Sequence, residues 1–326
     1  MPIELSESIA MVPQLDPQHH IDHGRLRVGT APVNWNNNDL PNWRPQVLFP
    51  KILDEMQTAG YHETEWDESF GTDVDVLNHE RAYRGMTFTG AYRWFDFVDD
   101  EAFARDLESI RPFLETLRGI GAGHLIVADS LRRHRVAVAG SVPADGSASL
   151  DESAYGRLAH NLDRLDVFAA GFNLAVHYHN HVGTYIETPH ETETLLAQIT
   201  GSRVDLCFDT GHYAFGGGDA REFLTTHHAD IGYLHLKDVD PQVLHETRKH
   251  GWNFLDALRQ CIFCPIGTGS ARIAGIIELL GSVEFPGYVI VEQDTCRDDA
   301  TLNARENLRM VRTFEAESRT QGRTLP

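Results

Sequence analysis

LAVHYHNHVGTYIE, residues 174–187, joins an apolar run to a polar end that carries three histidines and a glutamate. His177, His179 and His181 alternate, so on a β-strand they point to one face. Later segments repeat the pattern of an apolar run with a polar end: LCFDTGH around Asp209, YLHLKD around His235 and VIVEQD around Glu292. This recurrence indicates successive strands whose ends deliver polar side chains to one place.

Eight β-rich runs alternate along the chain with longer amphipathic stretches. We predict strands at residues 26–31, 61–66, 86–92, 124–129, 174–179, 205–209, 231–237 and 288–293. Because parallel strands need crossover helices that cover both sheet faces, eight such units close most simply into a single (β/α)8 TIM barrel of the α/β class. A doubly wound open sheet is the alternative. No GxGxxG follows the first strand, and the GGG at residues 216–218 comes after the sixth.

Two of the intervening stretches place apolar residues at the three-to-four spacing of a helix face. The first face contains Phe103, Leu107, Ile110, Leu114 and Leu117; the second contains Tyr155, Leu158, Leu162, Leu165 and Phe168. Asp99 and Asp151 precede these stretches, where helix N-caps belong. The patterns therefore predict one helix after each cap.

The barrel is expected to occupy residues 26–315, between an N-terminal arm at 1–25 and a C-terminal tail at 316–326. Two segments are longer than ordinary loops, residues 131–150 and 239–269. Long loops at the carboxyl end of a barrel usually shape a substrate pocket or an oligomer contact.

Composition excludes several classes of function. The formal net charge is −20, from 28 basic and 48 acidic residues, and a field of that sign repels nucleic acid and acidic lipid surfaces. The one basic cluster, residues 132–135 (RRHR), is interpreted as a solvated loop or a contact for an acidic partner. No apolar run nears the roughly 18 residues of a membrane helix, and the first residues lack signal-peptide order, so we expect a cytoplasmic protein without membrane contact.

The cysteines do not indicate a disulfide framework or a zinc finger. Cys261 and Cys264 form a CxxC, but it lies in an apolar segment without a second pair. Reduced thiols packed as small hydrophobic groups are the expected state.

The polar strand ends predict a divalent cation. Asp209, His235 and Glu292 each interrupt an apolar strand, and burying a carboxylate or imidazole without a partner costs several kcal/mol, roughly. A single cation bound by all three groups would offset this cost for each of them. An oxygen-rich set with one imidazole suits Mn²⁺, Mg²⁺ or Co²⁺ better than structural zinc.

Further strand-end residues are candidates for catalysis. His177 is expected to be a hydrogen-bonded core residue, whereas His179 and His181 reach the barrel mouth and can orient substrate or move a proton. His212 and Lys237 are the other candidates. Aromatic residues lie at the ends of the early strands: Trp35, Trp66, Tyr92 and Trp94. They either line the bottom of a sugar-sized pocket or belong to the core.

The chain resembles the xylose-isomerase-like barrel superfamily, and within it inosose dehydratases and their relatives. The resemblance is carried by GTAPVNWNNNDLP at the first strand, ILDEMQTAGYHETEW into the second, HNHVGTYIET, DTGH, HLKDV and VEQD. It implies metal ligands at Glu187, Asp209, His235 and Glu292. Many members place a glutamate where this chain has His179, so either Glu187 or His179 is the first ligand, or neither.

The resemblance also implies a reaction. A keto-polyol or keto-sugar would lose an α-proton to a base, His179 or His181, to give a stabilised enediolate. A β group would then depart, with His212 or Lys237 positioning or protonating it. The group is water in the dehydratases and an aromatic aglycone in the similar 3-keto-C-glycoside deglycosidase subunits, which act with a small partner subunit. A homo-oligomer is the other assembly expected.

Other activities of the same fold are weighed against this one. A metal-dependent isomerase or epimerase would use the same enediolate and return the proton to carbon. An apurinic endonuclease would need three metals and a basic groove, and the net charge of −20 disfavours such a groove. A sugar-binding barrel without catalysis would have lost ligands that this chain keeps.

Overall fold

The computed structural model of the protein describes residues 26–322, and its strands alternate with helices in the predicted manner. The strands are β1 Arg27–Thr30, β2 Glu63–Thr64, β3 Thr87–Phe88, β4 Gly90–Phe95, β5 His124–Asp129, β6 Ala175–His179, β7 Asp205–Asp209, β8 Ile231–Leu236, β9 Asp238–Val239, β10 Phe263–Cys264 and β11 Tyr288–Val291. The helices are α1 Lys51–Ala59, α2 Val74–Tyr83, α3 Asp100–Ser109, α4 Arg111–Gly119, α5 Arg133–Ala137, α6 Glu152–Ala170, α7 Pro189–Ile199, α8 Thr210–Phe215, α9 Ala220–His227, α10 Pro241–His250, α11 Phe254–Arg259, α12 Ile273–Ser282 and α13 Ala300–Gly322.

The main sheet is a single parallel barrel. Its strand order is β3-β2-β1-β11-β8-β7-β6-β5-β4, and every pairing is parallel. β3 and β4 are consecutive parts of one strand, with β3 paired to β2 and β4 paired to β5. Eight barrel strands therefore follow one another around the axis, as the sequence predicts.

The barrel is held by two apolar layers. Strands such as β5 and β11 are buried almost throughout, as expected for parallel strands covered by helices on the outside. A large cluster that includes Leu114, Leu158 and Val289 lies between strands and helices, whereas Ile126, Tyr233 and other residues fill the barrel interior. The carboxyl ends of the strands are thereby fixed relative to one another.

The helices confirm most of the sequence pattern. Asp99 and Asp151 cap α3 and α6 by accepting hydrogen bonds from backbone N–H groups. The single helix predicted through residues 103–117 is wrong, because it divides at Ile110 into α3 and α4. Pro112 has no N–H to continue the helical ladder, so a new helix begins at Arg111 with the proline in its first turn.

A smaller unit covers part of the carboxyl face of the barrel. Residues 239–269 contain α10, α11 and β10, and β10 pairs antiparallel with β9 at Asp238–Val239. Their apolar side chains make a second core with Leu40, Val182 and Phe215. We call residues 239–269 the cap. The C-terminal helix α13 continues past the predicted boundary at residue 315 to Gly322, and the predicted N-terminal arm lies outside the described residues. Within residues 26–322, the helices are all too short or too polar to cross a bilayer.

Candidate metal centre and active site

Four polar side chains converge at the carboxyl ends of adjacent strands. His179 ends β6, Asp209 ends β7, His235 is the fifth residue of β8, and Glu292 directly follows β11. These strands are neighbours in the barrel, so their ends open onto one space. All four side chains are buried.

The distances between their nitrogen and oxygen atoms suit one small cation. His235 Nδ1 lies 3.0 Å from His179 Nε2 and 3.2 Å from Glu292 Oε2. Asp209 Oδ2 lies 3.5 Å from His179 Nε2 and 4.0 Å from His235 Nδ1. Ligands that each stand about 2.1 Å from one ion are separated by roughly 3–4 Å. Each of the four atoms therefore lies within 3.5 Å of at least one other, the spacing expected between ligands of one ion.

Asp209 supplies independent support for a cation. Its Oδ1 accepts hydrogen bonds of 2.8 Å from the backbone N–H groups of Gly211 and His212, which caps α8. Its Oδ2 is buried and makes no well-aligned hydrogen bond among the described residues, with Lys237 Nζ 3.2 Å away as an ion-pair partner. Buried carboxylate oxygens are normally satisfied, so the donor set fits an ion at this place.

Glu65 orients the imidazole of His235. His235 Nε2 lies 2.8 Å from Glu65 Oε1 and is the donor to this carboxylate, so Nδ1 is the ring nitrogen that faces Glu292. A carboxylate behind a ligating histidine fixes its tautomer and raises its basicity. This role of Glu65 was not predicted from the sequence, although the acidic residues in HETEW at the end of the second strand were a signal for it.

Lys237 brings a positive charge to the same oxygens. Its Nζ lies 2.8 Å from Glu292 Oε2, 2.9 Å from Asp294 Oδ1 and 3.2 Å from Asp209 Oδ2. Burial opposes the ammonium charge, but the three carboxylates outweigh it and hold the pKa of Lys237 well above its usual value. Burial likewise raises the pKa of Glu292, but His235 and Lys237 reverse this and hold it below its usual value.

Val182 forms hydrogen bonds to two further histidines. Its carbonyl accepts the Nδ1 proton of His181 at 2.7 Å, which leaves Nε2 of His181 unprotonated. Its N–H donates to His212 Nδ1 at 3.2 Å, and His212 Nε2 lies 3.1 Å from Lys237 Nζ. Burial lowers the pKa of both imidazoles well below the usual value. His181 is thus the neutral ring with a free basic nitrogen.

The structure does not bring Glu187 to this cluster. Its carboxylate accepts hydrogen bonds from the backbone N–H groups of Gly140 at 2.7 Å and Gly183 at 2.8 Å, and Arg135 lies 3.8 Å away. Burial raises its pKa to about 7. Among the described residues it belongs to none of the groups whose ligand atoms lie close enough to share an ion. Its position supports the loops at 131–150 and 180–188.

Arg135 corrects the interpretation of the basic cluster. Its guanidinium is fully buried and holds both carboxylate oxygens of Glu191, at 2.9 and 2.8 Å. Arg132 pairs with Asp96 and Asp129. The prediction of a solvated loop is therefore wrong for these two arginines, which stabilise the loop that Glu187 also supports.

A cavity of about 350 Å³ opens beside the cluster. His179, His181, His235, Lys237 and Glu292 line it. Its other wall comes from early strands and includes Trp66, Tyr92 and Trp94, whereas Trp35 is in the core. The volume and the aromatic wall suit one sugar-sized ring.

The cap excludes water from one side of the site. Phe254 packs against the rings of His181 and His212, at centroid distances of 5.6 and 5.8 Å. Phe263 lies 5.0 Å from the ring of His212 and beneath the ammonium of Lys237. His177 remains deeper in the barrel, where its ring bonds to His124 and Asp205 as a core residue.

Residues 69–314 match the family model described as xylose isomerase-like TIM barrel. The chain belongs to this family. It is 27% identical over 298 residues to an inosose dehydratase of Geobacillus thermodenitrificans, an alignment that covers 90% of this chain and 97% of the relative. It is 31% identical over 273 residues, 82% of both chains, to the rhizopine catabolism protein MocC of Rhizobium meliloti.

Solved structures share the fold. One is an IolI protein with a bound zinc atom, with a TM-score of 0.66, 13% identity, and 90% of this chain and 98% of that chain covered. Another is an L-ribulose 3-epimerase, with a TM-score of 0.68, 13% identity, and 93% and 100% covered. Together with the family model, they confirm the predicted fold and superfamily, and the relatives support a barrel enzyme that modifies sugar-like molecules.

Proposed function

We propose that the protein is a divalent-metal-dependent lyase that removes a proton beside the ketone of a keto-polyol or keto-sugar and then expels the β group. The observation that carries this proposal is the convergence of four ligand atoms next to a neutral imidazole in a ring-sized cavity. The curated relatives named inosose dehydratase favour an inosose as substrate and water as the leaving group.

The ligand set is His179, Asp209, His235 and Glu292. His179 replaces Glu187 because its Nε2 is within 3.5 Å of both Asp209 Oδ2 and His235 Nδ1. Mn²⁺ is the expected ion, with Co²⁺ or Mg²⁺ as alternatives. Two imidazoles among the four ligands also make Zn²⁺ a candidate, because nitrogen ligands suit it better than Mg²⁺, and the similar IolI structure contains zinc.

When bound, the ion supplies positive charge at the substrate ketone and makes the neighbouring C–H bond more acidic. His181 Nε2 takes that proton, since its Nδ1 is already bonded to the Val182 carbonyl. Lys237 keeps the carboxylates ionised and offers N–H groups to substrate hydroxyls. The aromatic wall and the cap keep water from the reacting carbon.

The test follows the proton and the leaving group separately. The purified protein is incubated in D₂O with an inosose, a ketohexose and a 3-keto-C-glycoside, and NMR monitors α-deuteration and new products. We expect metal-dependent exchange and loss of water from the inosose. Release of an aromatic aglycone would indicate the deglycosidase reaction. Exchange that yields an isomer or an epimer of the substrate would indicate the isomerase or epimerase reaction.

Two variants identify the base. His181→Gln should lose α-exchange on the order of 10²-fold or more, whereas His212→Gln, which keeps a polar side chain beside Lys237, should retain most of it. Exchange that persists after chelation of the metal, or in His181→Gln, would count against the scheme. The assembly with a small partner subunit or with further copies of this chain stays a prediction.

A further inference from the structure

The carboxyl group of Asp39 lines the same cavity and has no assigned role. Asp39 lies in the turn that follows β1, within the NNND sequence of residues 36–39. It is half-buried, and within residues 26–322 neither a hydrogen bond nor an ion pair engages its carboxyl. A carboxyl in a pocket without a protein partner is free to contact a ligand.

The backbone around Asp39 is held firmly. Asn37 Oδ1 accepts the N–H of Asp39 at 2.7 Å and that of Leu40 at 3.2 Å. Asn37 Nδ2 donates to the carbonyl of Asp294 at 3.0 Å, and the Leu40 side chain is buried in the apolar core of the cap. The turn therefore presents the Asp39 carboxyl from a fixed backbone, which reduces the entropy lost when substrate binds.

Asp39 and His181 both line the cavity, from loops that follow barrel strands on opposite sides of the ring. Asp39 follows the first barrel strand, and His181 follows β6, which is the fifth of eight when β3 and β4 count as one. The four proposed ligands come from β6 through β11, along one side between these two points. A ring bound in this cavity would lie within reach of both side chains, since both line it.

We propose that Asp39 is the general acid that protonates the departing β-hydroxyl, an inference that rests on the proposed function. His181 Nε2 accepts the α-proton, and the C–H electron pair enters the enolate. When the ketone re-forms, this pair becomes the new carbon–carbon double bond and the β C–O pair leaves on oxygen. Asp39 gives that oxygen its proton, so one water departs, and the proton held by His181 returns through solvent to the Asp39 carboxylate.

The surroundings of Asp39 suit an acid better than those of its neighbours. Burial raises its pKa, and the opposing effect of Lys237 is smaller. Asp294 also lines the cavity, but its Oδ1 is 2.9 Å from Lys237 Nζ. Lys237 is itself shared among three carboxylates. Asp39 is thus a carboxyl of this cavity that no described hydrogen bond or ion pair engages.

The test uses Asp39→Asn in the full chain with an inosose in D₂O. Elimination should fall on the order of 10²–10³-fold, while α-deuteration stays within a few-fold of the parent protein, because only the second step needs the acid. A β-deoxy-β-fluoro inosose should eliminate fluoride at similar rates in both proteins, since fluoride leaves without a proton. Asp298→Asn, the same change at an exposed site outside the cavity, should alter none of these rates, and metal content should be unchanged in both variants.

Each outcome of this test distinguishes the proposed acid role of Asp39 from another role. Equal loss of exchange and elimination in Asp39→Asn would mean that Asp39 only holds the substrate, and unchanged elimination would mean that it has no part in the reaction; both overturn the inference. Failure of the fluoro compound to restore the rate also overturns it. If the parent protein itself neither exchanges nor eliminates, the proposed function fails first, and the variant is not the cause.

Discussion

Glu65 Oε1 accepts the Nε2 proton of His235 at 2.8 Å and so directs Nδ1 of that ring toward Asp209 and Glu292. The two residues are 170 positions apart in the chain. They meet because β2 and β8 open onto the same end of the barrel. The tautomer of a proposed ligand is therefore set from the opposite half of the sequence.

Replacement of Glu65 by Gln should weaken metal binding about 10–100-fold without abolishing it. The amide is a poorer acceptor and no longer raises the basicity of His235. Isothermal titration of metal-free protein with Mn²⁺ measures the change. Glu101→Gln, at an exposed position in α3, is the control, and equal affinities in the two variants would contradict the role of Glu65.

Metal content should distinguish His179 from Glu187. His179→Gln should lose most of the bound metal because the ring nitrogen shared with Asp209 and His235 is gone. Glu187→Gln should keep it, since its carboxylate bonds to backbone N–H groups of another loop. Elemental analysis of the purified variants measures this, and metal loss in Glu187→Gln would reinstate Glu187 as a ligand.

Glu187→Gln should instead lower stability. One oxygen that accepts the N–H of Gly140 or Gly183 becomes an NH₂ group, which leaves a buried donor unpaired at a cost of about 1–3 kcal/mol. Urea denaturation of the metal-loaded protein measures the free energy of unfolding. Stability equal to that of the parent protein would show that the loop contacts contribute nothing.

Replacement of Lys237 by Met should strengthen metal binding and reduce turnover. The ammonium is 2.8 Å from Glu292 Oε2 and 3.2 Å from Asp209 Oδ2, two oxygens that the ion needs, so it repels the ion and competes for them. We expect Mn²⁺ affinity to rise about tenfold, which is about 1.4 kcal/mol, and turnover of the inosose to fall. Weaker metal binding in Lys237→Met would show that the ammonium assists the site.

Acid should destabilise the barrel through His124. Burial, with His177 and Arg27 nearby, lowers the pKa of His124 to about 3. His124 in the unfolded chain therefore binds a proton near pH 6.5, whereas His124 in the folded state does not. The stability is intact above pH 6.5 and falls as the pH drops toward 3.

His124→Asn keeps a donor toward His177 and removes the titration. Between pH 7 and pH 5 the parent protein should lose roughly 1–2 kcal/mol more than this variant. Urea denaturation at the two pH values measures the difference. Parallel losses in both proteins would show that His124 does not contribute.

The alternation of apolar runs and amphipathic stretches was enough to predict the barrel. Parallel strands place their carboxyl ends on one face, so Asp209, His235 and Glu292 could be grouped from their positions in the strands alone. The helix break at Ile110 was missed because the apolar period continues through Pro112. Backbone hydrogen bonding decides where the helix breaks, and the spacing of apolar residues carries no information about it.

The linear order of residues determined which strand ends are polar and therefore where chemistry can occur. Folding alone decided which atoms meet there. Glu187 lies eight residues beyond the end of β6, a length of chain that turns it toward the Gly140 and Gly183 amides, whereas His179 is in the strand and must point into the barrel. Glu65 and Asp39 come from distant segments, and only closure of the ring brings their carboxyl groups to the site.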